Sequence, residues 1–144
     1  MIHPAEMKDL ETLANLAALL WPHHTVSQLM EEFSEILSTK SARCFLQFEN
    51  GRAVGFAQCQ LRQDYVEGTH SSPVGYLEGI FVREDFRHRG YGKALLAACE
   101  AWAKACGCRE FASDCALDNL DSFRFHQALG FAEASRIICF TKQL

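Results

Sequence analysis

The sequence predicts an α/β chain built on one mixed sheet with helices on both faces. Three observations carry that expectation: two helix-patterned stretches come first, an Asn-Gly hairpin signal follows, and strands then alternate with helices to the end. Leu10, Leu13, Leu16, Ala17 and Leu20 recur at helical spacing up to Trp21-Pro22, so a first helix is expected over about residues 6 to 20. Thr25 and Gln28 form a capping-box pair that opens a second helix, with Leu29, Met30, Phe33, Ile36 and Leu37 on its apolar face.

Cys44 to Phe48 and Ala53 to Ala57 flank Asn50-Gly51, the strongest short signal for a hairpin, and the second arm is expected to run through Leu61 toward Tyr65. A connection rich in Gly, Ser and Pro, Gly68 to Pro73, leads to a strand over Tyr76 to Val82. A helix from about Tyr91 to Cys106 follows, striped by Leu95, Cys99 and Trp102. Phe111 and Ala112 start a short strand that leads to Asp114. Asn119 to Leu129 reads as a helix capped by Asp118 or Asn119 and stopped at Gly130, and Ile137 to Lys142 as a final strand.

With 144 residues, 49% hydrophobic and 22% charged, the chain is expected to fold throughout as one domain, residues 1 to 144, without low-complexity or like-charge tails. Met1 to Glu6 lack a basic n-region and apolar h-region, and no apolar run approaches membrane-spanning length, which predicts a cytoplasmic protein that does not engage membranes. The seven cysteines are an odd number scattered through apolar segments, as expected of reduced thiols. Cys106-Gly107-Cys108 lacks zinc-site spacing, so no metal is expected.

Chemistry concentrates at Arg87-His88-Arg89-Gly90-Tyr91-Gly92-Lys93, between an apolar strand and a helix. Glycines at such a junction let backbone N–H groups approach an anion, and the helix N-terminus adds partial positive charge. Arg83, Arg87, Arg89 and Lys93 crowd this segment although the chain carries a formal net charge of -4. Local basicity on an acidic background points to a phosphate-bearing small ligand, specifically a pyrophosphate, and away from nucleic acid.

Arg87-x-x-Gly90-x-Gly92 resembles the pyrophosphate loop of the GNAT superfamily of acetyl-CoA-dependent N-acetyltransferases. Asn119-x-x-Ser122-x-x-x-His126-x-x-x-Gly130-Phe131 is similar to that superfamily's fourth-helix signature. A closer likeness, to bacterial aminoglycoside 6′-N-acetyltransferases, is carried by Trp21-Pro22-x-His24, Asp64-Tyr65-Val66-x-Gly68, Ser71-Ser72-Pro73, Leu77 to Val82 and Ala112-Ser113-Asp114. The resemblance implies a GNAT-like fold, its sheet mostly antiparallel and splayed in the middle, and a homodimer. It further implies direct acetyl transfer from acetyl-CoA to the 6′-amine of an aminoglycoside, conferring resistance.

By the same resemblance, backbone groups of Ile80, Phe81 and Val82 bond the pantetheine arm. His88, Arg89, Gly90, Tyr91, Gly92 and Lys93, with Arg87, wrap the pyrophosphate, and Asn119 bonds the cofactor near the fourth helix. Trp21, His24, Tyr65, Glu78 and Asp114 line the acceptor pocket. Two positions depart from the pattern: His126 stands where many members carry a tyrosine that protonates the departing thiolate, and Ser135 where close relatives place an acid.

An amino sugar's ammonium must lose a proton before it attacks a thioester, and Glu78 and Asp114 are the candidate acceptors. Carboxylates also hold polycations by charge-assisted hydrogen bonds. Glu78 sits in an otherwise apolar run, where an unpaired charge is costly. The plainer readings are a solvated strand carboxylate for Glu78, a turn or cap for Asp114 and a hydrogen-bonded core histidine for His126. A bulge near Gly79 would aim a backbone N–H at a developing oxyanion. Two other functions fit the same loop: an acetyltransferase for a polyamine, peptide or protein lysine, and a module that binds acyl-CoA without turnover.

Overall fold

Alternation of apolar side chains along a central hairpin decides the layering. Adjacent residues point to opposite faces of a strand, so Cys44 and Leu46 join one core while Phe45 joins another, and Phe56 and Ala57 divide in the same way. The computed structural model describes all residues, 1–144. Its elements are β1 (Ile2–Pro4), α1 (Leu10–Leu20), α2 (Val26–Ser38), β2 (Ala42–Glu49), β3 (Arg52–Arg62), β4 (Val74–Val82), α3 (Tyr91–Ala105), β5 (Phe111–Ala112) and α4 (Leu120–Ala128). Short 3-10 turns at Met7–Asp9 and Glu84–Phe86 precede α1 and the basic loop.

The strands form one sheet in the order β1-β2-β3-β4-β5, antiparallel except for the parallel pair β4 and β5. Asn50 and Gly51 both take positive φ, 50° and 77°, the backbone that a two-residue hairpin loop demands. On one face α1 and α2 bury Leu13, Leu16, Leu29 and Phe33 against Leu46 and Phe56. On the other, α3 buries Leu95, Leu96 and Cys99 against Phe45, Ala57 and Leu77. The expected mixed, mostly antiparallel sheet with helices on both faces is therefore what forms.

Local signals set several boundaries. Thr25 Oγ1 accepts from the Gln28 backbone N–H at 3.1 Å while Gln28 Oε1 accepts from Thr25 N at 2.9 Å, the reciprocal capping box that opens α2. Asn119 Oδ1 accepts from Ser122 N at 3.1 Å and caps α4.

Three expectations need correction. Strand β1 has no signal in sequence, because three residues including a proline are too few to show a period, yet Ile2, His3 and Pro4 pair with Gln47, Leu46 and Phe45. β3 ends at Arg62, short of Tyr65. Residues 131–144 form no helix or strand, so the final strand over Ile137 to Lys142 does not exist within the chain, and Ile137, Ile138 and Phe140 are 76%, 80% and 88% exposed. A strand needs a partner edge to satisfy its backbone, and none is offered to this segment here.

Two features of β4 shape the site. Gln58 pairs with Gly79 and Cys59 with Leu77, so Glu78 has no partner on β3: it is the extra residue of a β-bulge, one position before the expected Gly79. On its other side β4 pairs with β5 only at Gly75 and Tyr76, and beyond Tyr76 no strand follows that edge. The sheet thus opens between β4 and β5.

Candidate active site

The bulge gives Glu78 a direction its neighbours lack. Its side chain lines an open cleft of about 230 Å³ together with Trp21, His24, Leu29, Glu32, Ile36 and Gln58. The turn that presents Trp21 and His24 is closed by the His24 N–H on the Trp21 carbonyl, 3.1 Å. Trp21 packs edge-on to Phe56 and stacks with Phe33, at centroid distances of 6.0 and 6.5 Å, so its indole is anchored in the core while one side faces the cleft. A Cβ on Gly79 would lie 2.6 Å from the Trp21 ring, which leaves room there only for hydrogen.

Glu78 and Asp114 are joined through two residues that sequence reasoning missed. Glu78 Oε1 accepts from Arg62 Nε at 3.2 Å and Nη2 at 2.8 Å. The same guanidinium lies 3.4 Å over the centroid of the Tyr76 ring, and the Tyr76 hydroxyl donates to Asp114 Oδ2. Burial, then the hydrogen bond to Asp114 and its charge, push the Tyr76 phenol well above its ordinary pKa, so it remains a donor. Nothing in the local sequence singles out Arg62, and Tyr76 opens an apolar strand segment; only the register that stacks them reveals the chain of contacts. Glu32 on α2 is a further carboxylate in the cleft that its helical position alone does not mark.

Tyr65 is not brought to this cleft. It lies on the connection between β3 and β4, 75% exposed, with its hydroxyl accepting from Gly68 N at 3.3 Å.

His126 sits where the sheet opens. Its Nδ1 donates to the Ser122 carbonyl at 2.6 Å, and Nε2 lies 2.8 Å from Ser113 Oγ, which is 3.4 Å from the Leu77 carbonyl. The backbone bond leaves Nε2 as the nitrogen facing the serine. Phe131 and Phe125 flank the ring edge-on at centroid distances of 5.0 and 5.7 Å.

The basic loop follows β4 around the other end of that edge. His88 and Gly90 take left-handed backbone, φ 63° and 83°, and deliver the chain into α3, whose N-cap Gly90 provides no side-chain cap. The first-turn amides of this 15-residue helix are therefore not met by a capping side chain, which suits an anionic group. Arg87 donates through Nε to the Val82 carbonyl at 2.8 Å and lies 5.4 Å over the Phe81 ring. Gly92 lets Phe125 of α4 approach to 3.0 Å of where a Cβ would stand. Lys93 is exposed, and Ile80, Phe81 and Val82 are half-buried on β4.

Arg89 is already engaged: Nη1 donates to Glu49 Oε1 and Oε2 at 2.9 and 3.1 Å, and Tyr91 donates to the same carboxylate. The Tyr91 hydrogen bond, followed by Arg89, holds the Glu49 carboxyl below its usual range, and the same bond raises the Tyr91 phenol. Asn119 spends its amide oxygen on the α4 cap.

A sheet that opens beside an uncapped helix N-terminus, with an acid-lined cleft at the bulge midway along the same strand, is the arrangement of an acyl-coenzyme A transferase. The acetyltransferase (GNAT) family profile matches residues 10–131, and the chain belongs to that family. It is 44% identical over 134 residues to the aminoglycoside N(6′)-acetyltransferase type 1 of Salmonella enteritidis, an alignment covering 93% of this chain and 92% of the relative. Among solved structures, AAC(6′)-Iy in complex with the bisubstrate analog CoA-S-monomethyl-acetylneamine superposes with a TM-score of 0.96 at 42% identity, covering 100% of this chain and 98% of the other. The same enzyme in complex with CoA gives 0.97 at 42% identity, covering 100% and 95%.

Proposed function

We propose that the chain is an acetyl-CoA-dependent aminoglycoside 6′-N-acetyltransferase that moves the acetyl group directly to the 6′-amine, and that it confers resistance by doing so. The observation that carries this reading is Glu78, lifted out of the sheet register by its bulge and aimed into the cleft that also holds Trp21, His24 and Glu32. The relatives named above, similar over nearly their whole length, support the same substrate class.

In this reading residues 1 to 144 act as one acetyltransferase domain. Backbone groups of Ile80, Phe81 and Val82 hold the pantetheine, and the loop from Arg87 to Lys93 holds the pyrophosphate on the first-turn amides of α3. Asn119 keeps its side-chain NH2 for the cofactor. Bound there, acetyl-CoA supplies an acetyl thioester already activated toward amines. Glu78 Oε2 and Asp114 Oδ1 accept no hydrogen bond from the protein, so each offers an oxygen to an ammonium and a place for its proton. The hydrogen bond between Ser113 Oγ and His126 Nε2 holds a transferable proton where β4 and β5 part. Trp21 presents a flat apolar face to a sugar ring.

Two further features complete the proposal. The chain works as a homodimer, which would bury the exposed Ile137, Ile138 and Phe140 that a lone copy leaves in water. It acts in the cytoplasm; all seven cysteines are free thiols, and no helix is long and apolar enough to cross a membrane.

The test is thiol release from acetyl-CoA in the presence of kanamycin or tobramycin. Turnover that requires the 6′-amine is expected. Silence with every 6′-amino drug, alongside turnover of a polyamine, peptide or protein lysine, would reject the substrate assignment.

A further inference from the structure

Glu78 lines the cleft from the β4 bulge, while Asp114 lies on the segment after β5, outside the residues that line it, and nothing in their own backbones sets one relative to the other. Arg62, the last residue of β3, does so. Its two donors converge on a single oxygen of Glu78, at 3.2 and 2.8 Å, rather than spreading over both. A guanidinium that meets a carboxylate freely prefers a fork with one bond to each oxygen, so this one-oxygen contact leaves Oε2 of Glu78 uncovered. The plane of the same group rests 3.4 Å over the Tyr76 ring, and that ring's hydroxyl holds Oδ2 of Asp114, leaving Oδ1 uncovered. One cation thus touches the first acid directly and supports the residue that holds the second.

We infer that Arg62 is a positioning residue for the acceptor amine, setting Glu78 in the cleft directly and Asp114 through Tyr76 so that each carboxylate keeps one oxygen free of protein hydrogen bonds. The charged and titratable groups around Glu78 are Arg62 on β3, Tyr76 on β4, Asp114 after β5, and His24 and Glu32 across the cleft. Arg62 is the only cation of these other than a protonated His24. Its side chain is 38% exposed and that of Glu78 22%, so the pair borders solvent and is reachable by a ligand. Lysine cannot replace it, because a point charge has neither the planar face for Tyr76 nor two fixed donors for one oxygen.

This inference rests on the proposed transfer to an amine, so wild-type turnover of kanamycin is the control. If the wild type fails that assay, the proposed function falls first; if it passes, the following cycle judges Arg62 alone. Arg62→Met is expected to lower kcat/KM for kanamycin about 10²-fold, the scale of a misplaced reacting group, while the Kd for coenzyme A stays at the wild-type value. Arg62→Lys should recover only part of the loss. The decisive measurement is the double variant with Glu78→Gln: since Arg62 acts directly on Glu78 and only indirectly on Asp114, adding Arg62→Met to Glu78→Gln should cost clearly less than it costs alone. Losses that multiply independently would overturn the proposal. So would a lower KM in Arg62→Met, which would make Arg62 a competitor of the drug's ammonium. If Arg62→Met does not fold, the same cycle is run with Arg62→Lys, and the same two outcomes decide.

Discussion

Gly79 and Trp21 touch at a point where a single methyl group changes the site. A Cβ on Gly79 would fall 2.6 and 2.7 Å from two indole carbons, and the indole is held from behind by Phe33 and Phe56, so it cannot retreat. Gly79→Ala should therefore destabilise the fold by about 1–3 kcal/mol, as forced overpacking does, and raise KM for the aminoglycoside because the Trp21 wall of the cleft moves. Thermal unfolding and steady-state kinetics check both. At the neighbouring residue, Glu78→Gln keeps the shape and removes the proton acceptor. An approximately 10²-fold fall in kcat is expected, at the lower end of what a general base contributes, with coenzyme A affinity unchanged by calorimetry. An unchanged kcat would move the base to Asp114.

At the scale of elements, the loop into α3 is held by a strand on the far side of the hairpin. Glu49, the last residue of β2, accepts from Arg89 and Tyr91 on either side of Gly90. Its carboxyl is ionised more readily in the folded chain, so its stabilisation is complete above the ordinary value of 4.5 and lost as pH falls through the lower folded value. Tyr91, shifted upward by the same bond, keeps its share below its ordinary value of 10.0 and loses it as pH rises through the higher folded value. Glu49→Gln should then lower Tm most between about pH 5 and 10, with the gap from wild type closing on both sides. Thermal scans across pH measure this directly. Within the same loop, Arg87→Ala and Lys93→Ala should weaken coenzyme A binding and leave KM for the drug near wild type, the reverse of what changes in the cleft produce.

For the whole molecule, the segment after α4 is the part that a single copy does not satisfy. Ile137, Ile138 and Phe140 stand in solvent in close succession, and the last strand of the sheet is only two residues long. Such a run is strand-forming by composition, and a second copy is the partner the homodimer reading supplies. Sedimentation at micromolar concentration should show a dimer, and Phe140→Asp should shift it toward monomer. A wild-type monomer would refute that part of the reading.

Much of this architecture is legible in the chain itself. The capping box at Thr25, the Asn50-Gly51 hairpin, the glycine loop before Tyr91 and the Asn119 cap are each decided within a few residues, by backbone geometry and hydrogen bonds that local sequence specifies. They suffice to place the loop proposed to hold the pyrophosphate. The acceptor end is different. That Glu78 is the bulged residue, that Arg62 reaches it from another strand, that Tyr76 links it to Asp114 and that Tyr65 stays outside the cleft all depend on how β3, β4 and β5 register and where they part. No local pattern encodes such pairings, because residues sixteen and thirty-eight positions apart meet only once the sheet has chosen its register. Residue types and loop chemistry were set by the sequence alone; the mutual aim of the charged groups was decided by the folded sheet.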